Sequence, residues 1–151
     1  MNASLVIRAA QPRDLDSINA LMHASSAYQG EYHRIIENYF VTADYLARNE
    51  VFVAERGNEL LGFYGLIVDG EPDLDLMFVA DVAQGLGVGR ALFEHMKQTA
   101  RTRGIASVQI GSHPPAVGFY ESMGAVRVGM CPPLKNVTWE RPLLKLDLVE
   151  A

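Results

Sequence analysis

Three glycines alternate with other residues in the run Gln84-Gly85-Leu86-Gly87-Val88-Gly89-Arg90. The β-rich stretch Leu74–Val79 precedes the run and predicts a strand, and residues at helical spacing follow it. Glycine lets a backbone turn tightly and approach a ligand closely. The start of a helix presents unpaired N–H groups at the positive end of its dipole. The run therefore predicts an anion site suited to phosphate, and a tight turn without a ligand is the alternative.

Two common phosphate-binding loops do not match this run. A P-loop ends in Gly-Lys-Ser or Gly-Lys-Thr, whereas Gly89 is followed by Arg90-Ala91. A dinucleotide-binding fingerprint that starts at Gly85 needs a third glycine where Arg90 stands. A nucleotide-binding domain that shares only this run, residues 84–90 and below called the glycine loop, therefore remains the weaker interpretation.

The helix that follows the run is amphipathic and basic. It is predicted to end at Arg103-Gly104, where the glycine can serve as a C-cap. Arg90 lies on the first turn, where it can reach a bound phosphate, whereas Lys97 and Arg101 are expected on a solvated face. The stripe that should face the core consists of Val88, Leu92, Met96 and Thr99 or Ala100, and Phe93 widens it.

The rest of the chain alternates between strand and helix signals. Asp14 is a candidate N-cap for a helix through Met22, residues 25–48 look helical or irregular, and Pro114 and Gly124 bracket a short helix. The predicted order is β-α-α-β-β-β-α-β-α-β-β, an α/β protein built around one sheet. The predicted strands are Leu5–Arg8, Val51–Glu55, Leu60–Val68, Leu74–Val79, Ser107–Ile110, Val126–Met130 and Leu143–Leu148.

Composition narrows the class of protein. A chain of 151 residues predicts one domain. A net charge of −5 argues against a general nucleic-acid partner. The longest apolar stretch, Leu60 to Val68, is far shorter than the roughly 20 residues of a membrane helix, and the first residues lack a signal-peptide pattern. The single cysteine, Cys131, allows no internal disulfide, and four scattered histidines predict no metal site. A soluble, cytoplasmic protein without a metal site or a membrane span is expected.

Two motifs in order resemble the GNAT superfamily of N-acetyltransferases. Gln84-x-x-Gly87-x-Gly89 resembles the family's Gln/Arg-x-x-Gly-x-Gly/Ala motif. The segment 116–125, Ala-Val-Gly-Phe-Tyr-Glu-Ser-Met-Gly-Ala, is similar to its second motif, A-x-x-F-Y-x-x-x-G-F/A. The resemblance covers nearly the whole chain and is strongest over 72–125. It implies one GNAT-like domain, residues 1–151, with a mixed, mostly antiparallel central sheet flanked by helices.

The resemblance also implies acetyl-CoA as the acyl donor and assigns roles to residues. Phe78 and Val79 would pair through their backbones with the pantetheine arm, and Tyr120 would protonate the departing thiolate. His113 stands where the family often has Asn, and it would contact the pantetheine or cap the following helix. The cofactor pyrophosphate would be held by Gln84, Gly85, Leu86, Gly87, Val88, Gly89 and Arg90.

The base that takes the amine proton is less constrained by the sequence. Asp73 and Asp75 lie two residues apart on a predicted strand, so both carboxylates are expected on one face. Either could serve as the base, and a chain of water molecules is the alternative. A surplus of acidic residues over 69–81 would attract a cationic amine, or would simply be a solvated turn.

The predicted function is acetyl transfer from acetyl-CoA to a primary amine, by direct attack in a ternary complex. A non-catalytic CoA-binding or partner-binding module on the same fold is the alternative. The acceptor is expected to be a small-molecule or peptide amine. Leu143–Leu148 is interpreted as an exposed sheet edge through which a homodimer could form.

Overall fold

A computed structural model describes residues 4–25, 39–112, 114–131 and 141–148. Four α-helices occur in this part of the chain: α1 (Leu15–His23), α2 (Ala43–Arg48), α3 (Val88–Thr102) and α4 (Val117–Ser122). The strands are β1 (Leu5–Ala9), β2 (Glu50–Arg56), β3 (Glu59–Ile67), β4 (Asp73–Val79), β5 (Ser107–Gly111), β6 (Val126–Met130) and β7 (Pro142–Asp147). The predicted order of strands and helices is confirmed.

The described strands form one sheet in the order β1-β2-β3-β4-β5-β7-β6. Every neighbouring pair is antiparallel except β4 and β5, which run parallel. Helix α3 covers one face of the sheet and α1 covers the other, each with its own buried cluster. The prediction of a mixed, mostly antiparallel sheet flanked by helices is therefore confirmed.

Helix α3 packs as its apolar spacing predicts. The predicted stripe residues are buried except Thr99, which is half-buried. The chain leaves the helix through Gly104, whose φ of +74° favours glycine. At the other end Gly87 precedes the helix with a φ of +80°, and the first helical hydrogen bond joins Ala91 N–H to Gly87 O at 3.0 Å. These contacts fix the start of α3 against the end of β4.

Strands β4 and β5 touch at one end and then diverge. Their pairing is confined to Asp73 and Gln109, supported by a 3.0 Å bond from Gln109 N–H to Pro72 O. A β-bulge in the β3–β4 pairing, where Asp75 is the extra residue, displaces the alternation of side chains along β4. Leu74 and Met77 consequently face the same core cluster although they are three residues apart. The divergence leaves a cleft beside the second half of β4.

Two expectations from the sequence are wrong. Leu143–Leu148 is not an edge, because β7 lies between β5 and β6 and pairs with both, so β6 forms the edge of the described sheet instead. Asp14 does precede α1, but its carboxylate does not cap that helix. It accepts from Gln11 N–H at 2.7 Å and pairs with Arg8, which also binds Glu55. This ion-pair network joins β1 and β2 to the start of α1.

Within the described ranges, none of the helices is both long and apolar enough to span a membrane.

Candidate active site

The end of β4 continues into a loop of backbone with open surface above it. Gly85 and Gly87 have φ values of +81° and +80°, which other residues rarely adopt. A Cβ atom added at either glycine would meet no heavy atom within 4 Å. Because Gly87 has no side chain with which to cap α3, the first N–H groups of the helix face this open surface. The loop can therefore receive an anionic group against its backbone.

A cavity of about 320 Å³ extends from this loop along β4 toward α4. The sequence-predicted residues that border it are Phe78, Val79, Gln84, Gly85, Gly87, Val88, Gly89 and Tyr120. The remaining lining residues were not identified from the sequence: Ser25, Met77, Ala83, Ala116 and Phe119. The two sequence motifs, far apart along the chain, thus meet at one cavity.

Helix α4 brings Tyr120 to this cavity within a group of aromatic rings. Tyr120 is 8% exposed, and its ring centroid lies 5.4 Å from Phe119 and 6.2 Å from Phe93. Gly89 on α3 lies beside the Phe119 ring, which a Cβ at this position would contact at 3.5 Å. This packing holds the Tyr120 ring beside the cavity.

The backbone of β4 is available to a ligand on the cleft side. Ala80 N–H donates to Leu61 O of β3 at 2.8 Å. Peptide groups of successive strand residues point to opposite neighbours, so the groups of Val79 and Met77 face the cleft. Gln84 Nε2 donates to Val79 O at 3.2 Å from that side. The Phe78 ring is buried and stacks on Phe63 on the opposite side of the sheet.

Not every predicted residue lies at this cavity. Leu86 is 57% exposed and Arg90 lies on the first turn of α3, and neither borders the cavity. His113 lies outside the described residues. Asp73 and Asp75 lie near the start of β4, at a second cavity.

The second cavity has a volume of about 260 Å³ and is lined mainly by polar residues. Asp73 accepts a hydrogen bond from Gln109 Nε2 at 3.3 Å, and Asp75 accepts one from the Tyr45 hydroxyl at 2.8 Å. Asp75 lies two residues before Met77, which corresponds to about 7 Å along the strand. The cavity is lined by Asp73, Leu74, Asp75, Gln109, Gly111, Cys131, Arg141 and Leu143.

The surroundings of the two carboxylates change their pKa values. Burial, reinforced by the charge of Asp75, raises the pKa of Asp73 to about 6, against the opposing effects of Gln109 and Arg141. Displacement of water also raises the pKa of Asp75, while the Tyr45 hydroxyl and Arg141 oppose that shift. Burial likewise raises the pKa of the Cys131 thiol, which disfavours the reactive thiolate. Asp73 can thus exchange a proton near neutral pH.

Tyr45 and Arg141 were missed in the sequence, because neither stands within a recognisable motif. Tyr45 crosses from α2 to β3 and β4, and its hydroxyl would lie 2.5 Å from a Cβ placed on Gly65. Within the described parts of the chain, no group of three or more His, Cys, Asp or Glu side chains could hold a metal ion.

The family is established by sequence comparison. The model of the acetyltransferase (GNAT) domain matches residues 19–131. This match covers most of the chain, and the chain therefore belongs to the GNAT acetyltransferase family. Members of this family use acetyl-CoA as the acetyl donor, and this protein is an acetyl-CoA-dependent N-acetyltransferase.

Individual relatives agree with this assignment. The chain is 29% identical over 130 residues to the 5-NmdU N-acetyltransferase of Pseudomonas phage PaMx11, covering 83% of this chain and 89% of the relative. It is 32% identical over 125 residues to the peptidyl-lysine N-acetyltransferase YiaC of Escherichia coli, covering 79% and 82%. A GCN5-related N-acetyltransferase structure from Rhodopseudomonas palustris superposes with a TM-score of 0.80 at 16% identity, covering 97% and 98%.

The chemistry of the residues around the first cavity suits acetyl-CoA. The open glycine loop and the α3 start suit the negatively charged pyrophosphate. The cleft-facing peptide groups of Met77 and Val79 suit an extended arm that contains amides, since they can pair with it as a neighbouring strand would. Acetyl-CoA supplies an activated acetyl group as a thioester, and Tyr120 borders the same cavity.

Proposed function

We propose that the enzyme transfers the acetyl group directly to a primary amine of a small-molecule or peptide acceptor, with both substrates bound together. The observation that carries this proposal is that one cavity is bordered by the glycine loop, the cleft side of β4 and Tyr120. An acid at one end of a donor site, with a second polar cavity farther along the same strand, suits a ternary complex.

The glycine loop and its neighbours bind the donor in this proposal. The N–H groups of Gly87, Val88 and Gly89 donate hydrogen bonds to the pyrophosphate oxygens. Arg90, on the first turn of α3, adds positive charge. Gln84, Gly85 and Leu86 form the preceding turn. Val79 pairs with the pantetheine arm through its backbone, together with Met77, whereas the peptide groups of Phe78 face β3. His113 stays a predicted contact of this arm or cap of the following helix.

Tyr120 acts as the general acid. The nitrogen of the neutral amine attacks the thioester carbonyl carbon, so that the N–C bond forms and the C–S bond breaks with its electron pair on sulfur. The Tyr120 hydroxyl gives its proton to that sulfur. A backbone N–H of β4 on the cleft side stabilises the charge that develops on the carbonyl oxygen.

The Asp73–Asp75 pair accepts the proton that the amine nitrogen loses. Asp73 is the better base of the two, because a pKa of about 6 keeps it ionised at neutral pH and yet able to take a proton. Asp75 lies closer along the strand to the donor cavity and attracts the cationic amine. Tyr120 is reprotonated from solvent, so the net reaction is an amide and free coenzyme A.

Replacing the Tyr120 hydroxyl tests this function. Tyr120→Phe should lower kcat by about 10²–10⁴-fold, the usual contribution of a general acid, and should leave the Kd for acetyl-CoA nearly unchanged. Thiol release with a panel of primary amines measures the rate, and calorimetry measures the Kd.

Tyr64→Phe is the matched control. Tyr64 is also buried, but its hydroxyl binds His95 and Thr99, away from the donor cavity. This control should keep wild-type kcat while losing some stability, because its hydrogen bonds are lost. A Tyr120→Phe enzyme within about threefold of the wild-type rate, well below the general-acid range, contradicts the acid role.

A further inference from the structure

The second cavity has opposite charges on its two walls. Asp73 and Asp75 stand on the β4 wall, whereas Arg141 stands on the wall formed by β5 and the residues that flank β6 and β7. No ion pair within 4 Å joins Arg141 to either aspartate in the described segments. The acids and the guanidinium therefore face the same space without neutralising each other by contact.

Arg141 has an unmet hydrogen-bonding requirement. Its Nε is buried and has no hydrogen-bond partner among the described residues. Its charge is close enough to oppose the rise in pKa that burial causes at both aspartates. A buried donor without a partner destabilises the protein, more so when it is charged. An anionic group in the cavity would remove this destabilising effect.

Strand β5 leaves room for the Arg141 side chain. A Cβ atom on Gly111 would lie 3.2 Å from Arg141 Nη2 and 3.0 Å from Cys131 Sγ. Glycine within a strand often marks such a close approach. Gly111 thus leaves the space in which the guanidinium stands against β5.

We propose that this cavity is the acceptor site and that the acceptor is a compact amino acid, whose amine binds at Asp73 and Asp75 and whose carboxylate binds Arg141. This inference rests on the proposed function and adds the substrate class. The amine on the β4 wall lies on the strand that continues to the donor cavity, so the reacting nitrogen is held on the side of the thioester.

Charge and size favour a free amino acid over larger or more anionic acceptors. Arginine binds a carboxylate through two parallel hydrogen bonds. A doubly charged phosphate would be repelled more strongly by the two aspartates than a singly charged carboxylate. A volume of about 260 Å³ suits a compact molecule such as a free amino acid.

Matched substrates test the inference with the wild-type enzyme. Each amino acid of a panel is compared with the amine of the same carbon skeleton that lacks the carboxylate. We expect kcat/KM to be about 10–100-fold higher for the amino acid, the range of a hydrogen bond to a charged group. Equal values, or acetylation of neither set, overturn the inference.

Variants of Arg141 assign the preference to that side chain. Arg141→Gln should lower kcat/KM for amino acids about 10–100-fold and leave the matched amines nearly unchanged, so the preference disappears. Arg141→Lys keeps the charge without the paired donors, so its kcat/KM for amino acids should lie between those of the wild type and Arg141→Gln. Arg127→Gln is the control, because Arg127 is exposed on β6 and contacts Met130 rather than the cavity. A preference that survives in Arg141→Gln overturns the inference.

Failure of this inference differs from failure of the proposed function. If the function is right but the acceptor class is wrong, amines without a carboxylate are acetylated as well as amino acids, and Tyr120→Phe still lowers that rate. If the function is wrong, Tyr120→Phe leaves every measured rate unchanged. Should Arg141→Gln fail to fold, the wild-type preference between matched substrates decides alone.

Discussion

Asp73 should set the lower limit of the pH range in which the enzyme works. Its raised pKa of about 6 reflects burial and the charge of Asp75, opposed by Gln109 and Arg141. Below that pH the carboxyl group is protonated and cannot accept the amine proton. We therefore expect kcat to fall as pH drops through about 6, and Asp73→Asn to remove this limb along with most of the rate. A pH–rate profile of both enzymes measures this, and an unchanged limb in the variant contradicts the assignment.

The charged form of Asp73 should also lower the free energy of unfolding of the protein. The folded protein binds the Asp73 proton more tightly than the unfolded chain does, so the free energy of unfolding falls as pH rises from about 4 to about 6. At pH 8 the charged carboxylate remains half-buried, and Asp73→Asn removes that charge. We expect the variant to be about 1–3 kcal/mol more stable at pH 8. Urea unfolding at pH 8 and pH 4 measures the difference, which should vanish at the lower pH.

Residues within contiguous motifs could be predicted, whereas residues assembled across the sheet could not. The glycines and Tyr120 stand in local patterns that were predicted to lie at one site, and they border one cavity. Arg141 reaches Gly111 and the β4 aspartates through strand pairing between β5 and β7. No local spacing reports that pairing, because it joins residues 32 to 40 positions apart.

At the scale of elements, a substitution in the turn between β4 and α3 tests whether the glycine loop binds acetyl-CoA. In Gly87→Ala the added Cβ would have no heavy atom within 4 Å, so the effect comes from the φ of +80°. We expect a loss of about 1–2 kcal/mol in stability together with weaker acetyl-CoA binding, because the first α3 N–H groups are displaced. Calorimetry with acetyl-CoA measures the Kd.

Gly57→Ala is the control for this loop variant. Gly57 also has a positive φ, of +62°, and open space around it, but it lies in the β2–β3 turn. Its replacement should cost similar stability while leaving the Kd unchanged. Equal binding by both variants would show that the glycine loop does not hold the donor.

Element order was predictable because each helix and strand carries its own periodicity and end signals. Helix α3 illustrates this, since the predicted stripe is the buried one. The arrangement of strands was not predictable in the same way. Strand β7 inserts between β5 and β6, and this placement depends on contacts between distant segments. The sequence therefore predicts Leu143–Leu148 at a sheet edge, although both sides of β7 are paired.

The whole molecule combines a continuous sheet with a cleft where β4 and β5 diverge. Toward the Asp73–Gln109 end the strands hold together, and beyond it the peptide groups of β4 lack the β5 partner that they have at that end. A ligand that pairs with β4 would fill this interruption. Binding energy from the donor would then be added to the stability of the entire fold, because donor binds only the folded chain.

Acetyl-CoA should consequently raise the thermal unfolding temperature of the protein. At about 100 times Kd the ligand adds roughly 2.7 kcal/mol, which for a chain of this size corresponds to about 5–10 °C. NAD and ATP are the controls, because their phosphates test whether any nucleotide can bind the glycine loop. A rise with acetyl-CoA alone assigns the cleft to the thioester and its arm, since the loop by itself would not discriminate among phosphates. An equal rise with all three ligands would mean that the loop alone binds them, and that β4 contributes nothing to recognition.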